Sequence, residues 1–127
     1  MATLKQITDI HDRLGTMDTF YEYIKALSAL GVERYETYVS DGRSEYYGDD
    51  DKVTSAAQHE PFTISETSNK GMFFEKLGAH LQRKTTPLEM YNGLAESGIE
   101  KWIVDIKKMT MTYLDKQGNE ILVEAIK

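Results

Sequence analysis

Apolar positions along this chain follow two rhythms, and each rhythm is used twice. Ile7, Ile10 and Leu14 stand three and four residues apart, as do Phe74, Leu77 and Leu81. That spacing collects side chains on one face of a helix and predicts a helix around each set. A second helix should follow in each half, because Thr19-Phe20-Tyr21-Glu22 and Thr86-Pro87-Leu88-Glu89 both have capping-box form. In a capping box the threonine hydroxyl and the glutamate carboxylate each satisfy a backbone N–H left over at the helix start. Pro87 suits the first helical position, where no N–H is needed. Gly31 and Gly98 should stop these helices, since glycine enters the left-handed conformation without steric cost.

The rhythm then changes to alternation, the mark of a half-buried strand. Tyr35, Thr37 and Val39 fall on one face, and Arg34, Glu36 and Tyr38 on the other. Trp102, Val104 and Ile106 repeat the first set, and Lys101, Ile103 and Asp105 the second. Asp41-Gly42 predicts a two-residue hairpin turn with positive φ at both positions, which would set Tyr46 opposite Thr37 on the Tyr35 face. Lys108-Met109 suits positive φ poorly, so a looser loop is expected there, with Met111 and Tyr113 still facing inward. Gln117-Gly118-Asn119 leads into a last strand from Ile121 to Ile126. Its counterpart, Lys52 to Ala57, is polar and the weakest of the predicted strands.

These matches share one offset of 67 positions: Leu27-x-x-x-Gly31-Val32-Glu33-Arg34-Tyr35 against Leu94-x-x-x-Gly98-Ile99-Glu100-Lys101-Trp102. Thr19 pairs with Thr86, Glu22 with Glu89 and Tyr46 with Tyr113 at the same offset. The expected architecture is a tandem duplication of a helix-helix-strand-strand-strand unit, with repeats at about 3–65 and 70–127. Two such units give an α+β fold, four helices packed on one face of a mostly antiparallel sheet of about six strands. Approximate two-fold symmetry should relate them. At 127 residues the chain is expected to be a single domain, since half of it alone would be marginal.

Composition narrows the function classes. No apolar run approaches the roughly 20 residues that span a bilayer. The start, Met1-Ala2-Thr3-Leu4-Lys5, lacks signal-peptide features, and a cytoplasmic location without membrane partners is expected. There is no cysteine, so disulfides and thiolate chemistry are excluded. The formal charge of −6 is uneven: 6 Lys/Arg against 13 Asp/Glu in residues 1–67, and 9 against 8 in 68–127. Lys107-Lys108 and Arg83-Lys84 are isolated basic pairs, far short of the clustered cations that neutralise phosphates, so direct nucleic-acid binding is not expected.

The chain resembles the small family of unknown function typified by the enterobacterial prophage protein YdfO, whose members are sometimes labelled phage envelope proteins. The resemblance rests on residues 30–42, Leu-Gly-Val-Glu-Arg-Tyr-Glu-Thr-Tyr-Val-Ser-Asp-Gly, and on Ala79-His80, Gly98-Ile99-Glu100-Lys101-Trp102, Tyr113-Leu114-Asp115 and Gly118-Asn119-Glu120-Ile121. It spans nearly the whole chain. It implies an α+β fold and a bacterial or prophage origin, and supplies no established activity. Leu81 stands where that family usually has glutamine, Arg83 where it has glycine, and Tyr91 and Met111 where cysteines often occur.

Candidate chemistry is sparse. His80 has the pKa range of a general base, but no local motif supplies a carboxylate partner, and a histidine at the core boundary is the simpler reading. His11 and His59 lack the four-residue spacing of a helical zinc pair; no metal and no cofactor are expected. Asp49-Asp50-Asp51 lacks the alternating ligands, central glycine and terminal glutamate of a calcium loop. The 8 Tyr, 4 Phe and 1 Trp are the remaining feature. Tyr38 and Tyr47 should lie on the outer sheet face as cross-strand neighbours, with Arg43 and Glu45 beside them and Asp105, Thr110 and Thr112 continuing the surface. Tyrosine suits recognition because it joins a large apolar area to a polar tip. The candidate ligand or interaction residues are therefore Tyr38, Arg43, Glu45, Tyr47, Asp105 and Thr112.

Three functions compete on this evidence. The first is a small non-enzymatic interaction or regulatory protein, using the outer sheet face for a partner protein or for a second copy in a homodimer. The second is a small-molecule-binding domain with its ligand in a cleft between the repeats. An enzyme with His80 as base is the third.

Overall fold

A computed structural model describes residues 3–14, 19–48, 51–82 and 84–126. Ten elements follow one another: α1 (Leu4–Leu14), α2 (Phe20–Ala29), β1 (Arg34–Tyr38), β2 (Ser44–Gly48), β3 (Asp51–Thr54), α3 (Lys70–Leu81), α4 (Pro87–Glu96), β4 (Ile99–Asp105), β5 (Thr110–Asp115) and β6 (Glu120–Ala125). The strands form one antiparallel sheet in the order β3-β2-β1-β4-β5-β6. The fold is α+β, as the alternating rhythms predict. No described helix is long and apolar enough to cross a membrane.

The helices cover one sheet face with two apolar clusters. In the first, Ile7 and Ile10 of α1 and Tyr23, Ile24 and Leu27 of α2 pack on Tyr35, Tyr46 and Val104. In the second, Phe73 and Leu77 of α3 and Leu94 and Ala95 of α4 pack on Ile99, Tyr113 and Ile121. The turn residues cross over. Val39, just after β1, is buried in the second cluster, and Ile106, just after β4, in the first. Their backbones are tied down accordingly, Val39 N donating to Glu100 O and Ile106 N to Glu33 O, both at 2.9 Å.

The two central strands obey the 67-residue relation. Arg34 pairs with Asp105 and Tyr38 with Lys101, while Glu36 faces Ile103, its own counterpart, at the centre. The flanking hairpins agree as well: Tyr35 opposes Tyr46 where Trp102 opposes Tyr113. The correspondence lapses at the edges. Tyr46 pairs with Val53, but Tyr113 pairs with Leu122, two residues beyond the matching position, next to a bulge in the β5–β6 ladder. Gly31 and Gly98 both end helices with positive φ, +92° and +85°.

Several expectations are corrected. The core stripe of α3 is Phe73 and Leu77; Phe74 and Leu81 are exposed. Phe73–Leu77 is an i,i+4 pair, so a small rotation of the helix exchanges one phenylalanine for its neighbour. Trp102 is half-buried, unlike Tyr35. The Thr86 capping box is complete, whereas Thr19 makes no cap; its hydroxyl donates to Leu14 O at 2.6 Å instead. The first hairpin closes over residues 39–42, with Tyr46 opposite Tyr35 and Ser44 opposite Thr37. Only Gly42 takes positive φ there (+78°); the Asp41 carboxylate accepts from Arg43 N, and burial of Val39 takes it out of the ladder. The second hairpin is no looser: Met109, the position matching Gly42, itself adopts φ +54°. Strand β3 ends at Thr54, short of Ala57. Of the Asp49-Asp50-Asp51 run, the first two lie outside the described residues, as does Arg83.

Candidate functional site

The uncovered sheet face can be read as rows running across the strands. The middle row is Thr54, Glu45, Glu36, Ile103, Thr112 and Val123; on one side of it run Lys52, Tyr47, Arg34, Asp105 and Thr110. On the other side stand Tyr38, Lys101 and Leu114, with Arg43 hydrogen-bonded to Tyr38 through the backbone. One end is therefore aromatic and charged, while the other is largely aliphatic.

Glu45 organises the charged end. One of its oxygens, Oε1, accepts from the Tyr38 hydroxyl at 2.8 Å and from the Tyr47 hydroxyl at 3.1 Å; Oε2 lies 3.2 Å from Lys52 Nζ. Tyr38 and Tyr47 are thus two rows apart and joined through a carboxylate, rather than direct cross-strand neighbours. This follows from the hairpin register. Each ring carries a guanidinium, Arg43 over Tyr38 at 4.1 Å and Arg34 over Tyr47 at 4.0 Å, and Lys101 Nζ lies 5.4 Å from the Tyr38 centroid. Such stacking is attractive because the ring face is electron-rich. Arg43 is held in place by a salt bridge to Asp41 at 3.0 Å.

Glu36 is the buried member. Its side chain is 10% exposed, and it receives Lys101 Nζ at 2.7 Å and Arg34 Nε at 3.5 Å. Arg34, Glu36, Lys52 and Lys101 were absent from the candidate set read from the sequence. Alternation already put Arg34 and Glu36 on the Tyr38 face; what was missing is the β1–β4 pairing that delivers Lys101.

The electrostatics favour fixed charges. The Tyr38 hydrogen bond, followed by contributions from Lys52 and Tyr47 and against the opposing effect of burial, holds the Glu45 carboxyl below its usual range. The Tyr38 and Tyr47 hydroxyls are each pushed up to about 12, by burial first and then by the hydrogen bond to Glu45. A carboxylate held ionised between two neutral phenols offers no proton to move near neutrality. It offers a rigid, charge-patterned surface.

The other predicted residues sit apart. Asp105 faces Arg34 in the ladder, but its carboxylate accepts from Lys108 N at 3.0 Å and so caps the β4–β5 turn. Thr112 lies beyond Ile103, between it and Val123. His80 is half-buried at the end of α3 with Nδ1 3.1 Å from Thr85 Oγ1. His11 Nδ1 lies 3.4 Å from the Tyr23 hydroxyl, which in turn meets the Tyr46 hydroxyl at 3.1 Å. His59 is set between the rings of Phe62 and Tyr91, at 4.9 Å from each.

A family model described as a protein of unknown function, DUF1398, matches residues 8–125. The chain belongs to that family. No curated protein matches it. The DUF1398 match takes in both helix pairs and all six strands apart from the first turn of α1, so the uncovered sheet face lies wholly within the family's domain.

Proposed function

We propose that this DUF1398 chain is a small non-enzymatic interaction protein that recognises a partner through the charged end of its uncovered sheet face. The observation that carries this reading is the Tyr38–Glu45–Tyr47 bridge with a guanidinium on each ring. Five side chains ordered by one another present aromatic area and charge at little further entropic cost on binding. A bacterial, prophage-borne origin of the YdfO type belongs to the same reading, supported by the motifs around Gly31 and Gly98. So does descent of the two halves from one duplicated unit, supported by their shared register. A pull-down from cells of the source type, with light scattering in parallel for self-association, tests the surface. Tyr38→Ala and Tyr47→Ala should each remove the partner or the second copy; retention of both by the double variant would sink this assignment.

A second reading is favoured by the cleft where the halves meet. Two adjoining grooves, about 230 and 250 Å³, open between α2 and the β4–β5 turn, lined by Ile24 and Ser28 from one side and Ile106 and Met109 from the other. In this reading the cleft holds a ligand. A thermal-shift screen tests it, since a ligand at 100 times its dissociation constant adds about 2.7 kcal/mol.

A further inference from the structure

The cleft has a counterpart in the other half, and there it is filled. Its walls include Ile24, Ser28, Gly31, Ile106 and Met109. Moved by 67 positions, these become Tyr91, Ala95, Gly98, Val39 and Gly42. Along that second wall lies the chain's own segment 58–68, a strap with neither helix nor strand. Gln58 N donates to Asp41 O at 2.7 Å, Phe62 N to Ser40 O at 2.8 Å and Ser65 N to Ala95 O at 2.9 Å. The His59 ring packs on Tyr91. A Cβ on Gly98 would come within 2.7 Å of Ser68 Cα, and one on Gly42 within 2.9 Å of Gln58 Cβ. Phe62 and Ile64, two positions apart, supply the strap's apolar contacts to the second cluster.

Coverage explains the differences in exposure. Ala95 is 1% exposed beneath the strap, while its match Ser28 is exposed; Gly98 is buried, while Gly31 is only half-buried. Among the described residues, none of those lining the first groove belongs to such a strap.

We infer that the groove between α2 and the β4–β5 turn is a docking site for a strap-like peptide segment of a partner protein. The segment has no helix, carries two apolar residues two positions apart, and has acidic neighbours. The pairing of apolar residues is taken from Phe62 and Ile64. The acidic flank follows from Lys25 on the groove wall and from Glu60 and Glu66 on the internal strap. This rests on the second reading, that the cleft holds a ligand, and names the ligand's class. Backbone recognition with alternate side chains as anchors is a common way for a folded domain to take a peptide.

Phage-displayed random peptides panned on the whole chain supply the probe. The best-enriched sequence is synthesised, labelled and titrated against wild type, Ser28→Trp and Lys25→Glu, each checked for an intact melting transition. Peptides with two apolar residues spaced by one and an acidic flank should be enriched. Ser28→Trp, which fills the groove from an exposed position, should weaken binding by on the order of tenfold or more; Lys25→Glu should weaken it less. Absence of enrichment, or a peptide whose affinity neither variant moves, overturns the inference. A small-metabolite thermal-shift screen runs on the same proteins. A metabolite hit lost in Ser28→Trp, with no peptide binder, overturns the peptide assignment and leaves the ligand reading standing; failure of both probes removes both.

Discussion

The two halves of this molecule share a backbone frame and differ in almost everything that hangs on it. Around Tyr35 the first core joins His11, Tyr23 and Tyr46 through hydrogen bonds and tilted rings. Around Trp102 the second stacks Tyr91 on the indole at 5.6 Å and continues through Tyr113 to Phe73 by ring contact. On the uncovered face, Glu36, Glu45 and Tyr47 have Ile103, Thr112 and Leu114 as counterparts. One groove is filled by segment 58–68, and the other is open among the described residues. The frame therefore depends on a few punctuating residues, whereas recognition chemistry is particular to one half. Equivalent positions are free to diverge because a sheet row constrains the direction of a side chain and not its type.

The largest effect expected from breaking this correspondence is at the helix stops. Gly98→Val forces a β-branched residue into positive φ and drives its Cβ into Thr67 O and Ser68 Cα, each 2.7 Å away. Left-handed backbone alone costs about 1–2 kcal/mol, and displacement of the strap adds to it. Gly31→Val, at φ +92°, shares that backbone cost, so a larger loss in Gly98→Val measures what the strap adds. Denaturant melts of both variants compare them directly; equal losses would show that the strap does not stabilise the second half.

Next come the buried hydroxyls. Tyr23→Phe removes the 3.1 Å bond to the Tyr46 hydroxyl inside the first core, where Ser44 remains a partner, and loss of such a hydrogen bond costs about 0.5–1.5 kcal/mol. Tyr113→Phe, whose ring meets only Phe73 and Trp102 among its aromatic neighbours and makes no hydroxyl bond among the described contacts, should change stability by less than about 0.5 kcal/mol. Thermal melts that rank these two the other way would contradict the division into a bonded core and a stacked one.

Smaller again is the contrast between the hairpin turns. Gly42→Ala should destabilise by about 1 kcal/mol or more, since φ is +78° and Gln58 crowds the new Cβ. Met109→Gly at the matching position should shift stability by less than about 1 kcal/mol, because relief of the left-handed strain offsets the lost packing of Met109 on the first core. A marked loss in both would mean the methionine contact outweighs its strain.

The smallest effect is electrostatic. Tyr38 and Tyr47 have folded values near 12, above the ordinary phenol value of about 10. Because these values are raised, the neutral phenols stabilise the fold fully below about pH 10, and that contribution fades as pH rises through about 12. Glu45→Gln should bring both midpoints down in an absorbance titration of tyrosinate, read as a difference from the Tyr38→Phe, Tyr47→Phe double variant. Unmoved midpoints would remove Glu45 from its organising place.

Element order and strand faces were legible in the residues themselves. Thr86-Pro87-Leu88-Glu89 specifies its helix start completely, since all its partners lie within four residues. Thr19-Phe20-Tyr21-Glu22 carries the same letters and fails, because its hydroxyl finds Leu14 O, a group outside the motif. The outer cluster was half legible: alternation put Tyr38, Tyr47, Arg43 and Glu45 on one face, but Asp105 and Thr112 were included by continuity and turn out to serve a turn and the aliphatic end of the face. Lys101 and Glu36 were missed, since a cross-strand pair 65 residues apart is invisible to local pattern.

What this sequence determined alone is local and periodic: helix faces to within one residue, left-handed stops at Gly31 and Gly98, and two interior runs of alternation. These follow from sterics and hydrogen bonding over a few neighbouring residues. Only the tertiary structure decided that β1 and β4 lie side by side, that Val39 and Ile106 each enter the other half's core, and that segment 58–68 covers one groove and not its twin. Those choices are made by burial between segments far apart in the chain. A single buried valine outside the ladder was enough to move the hairpin register that the turn residues alone predict.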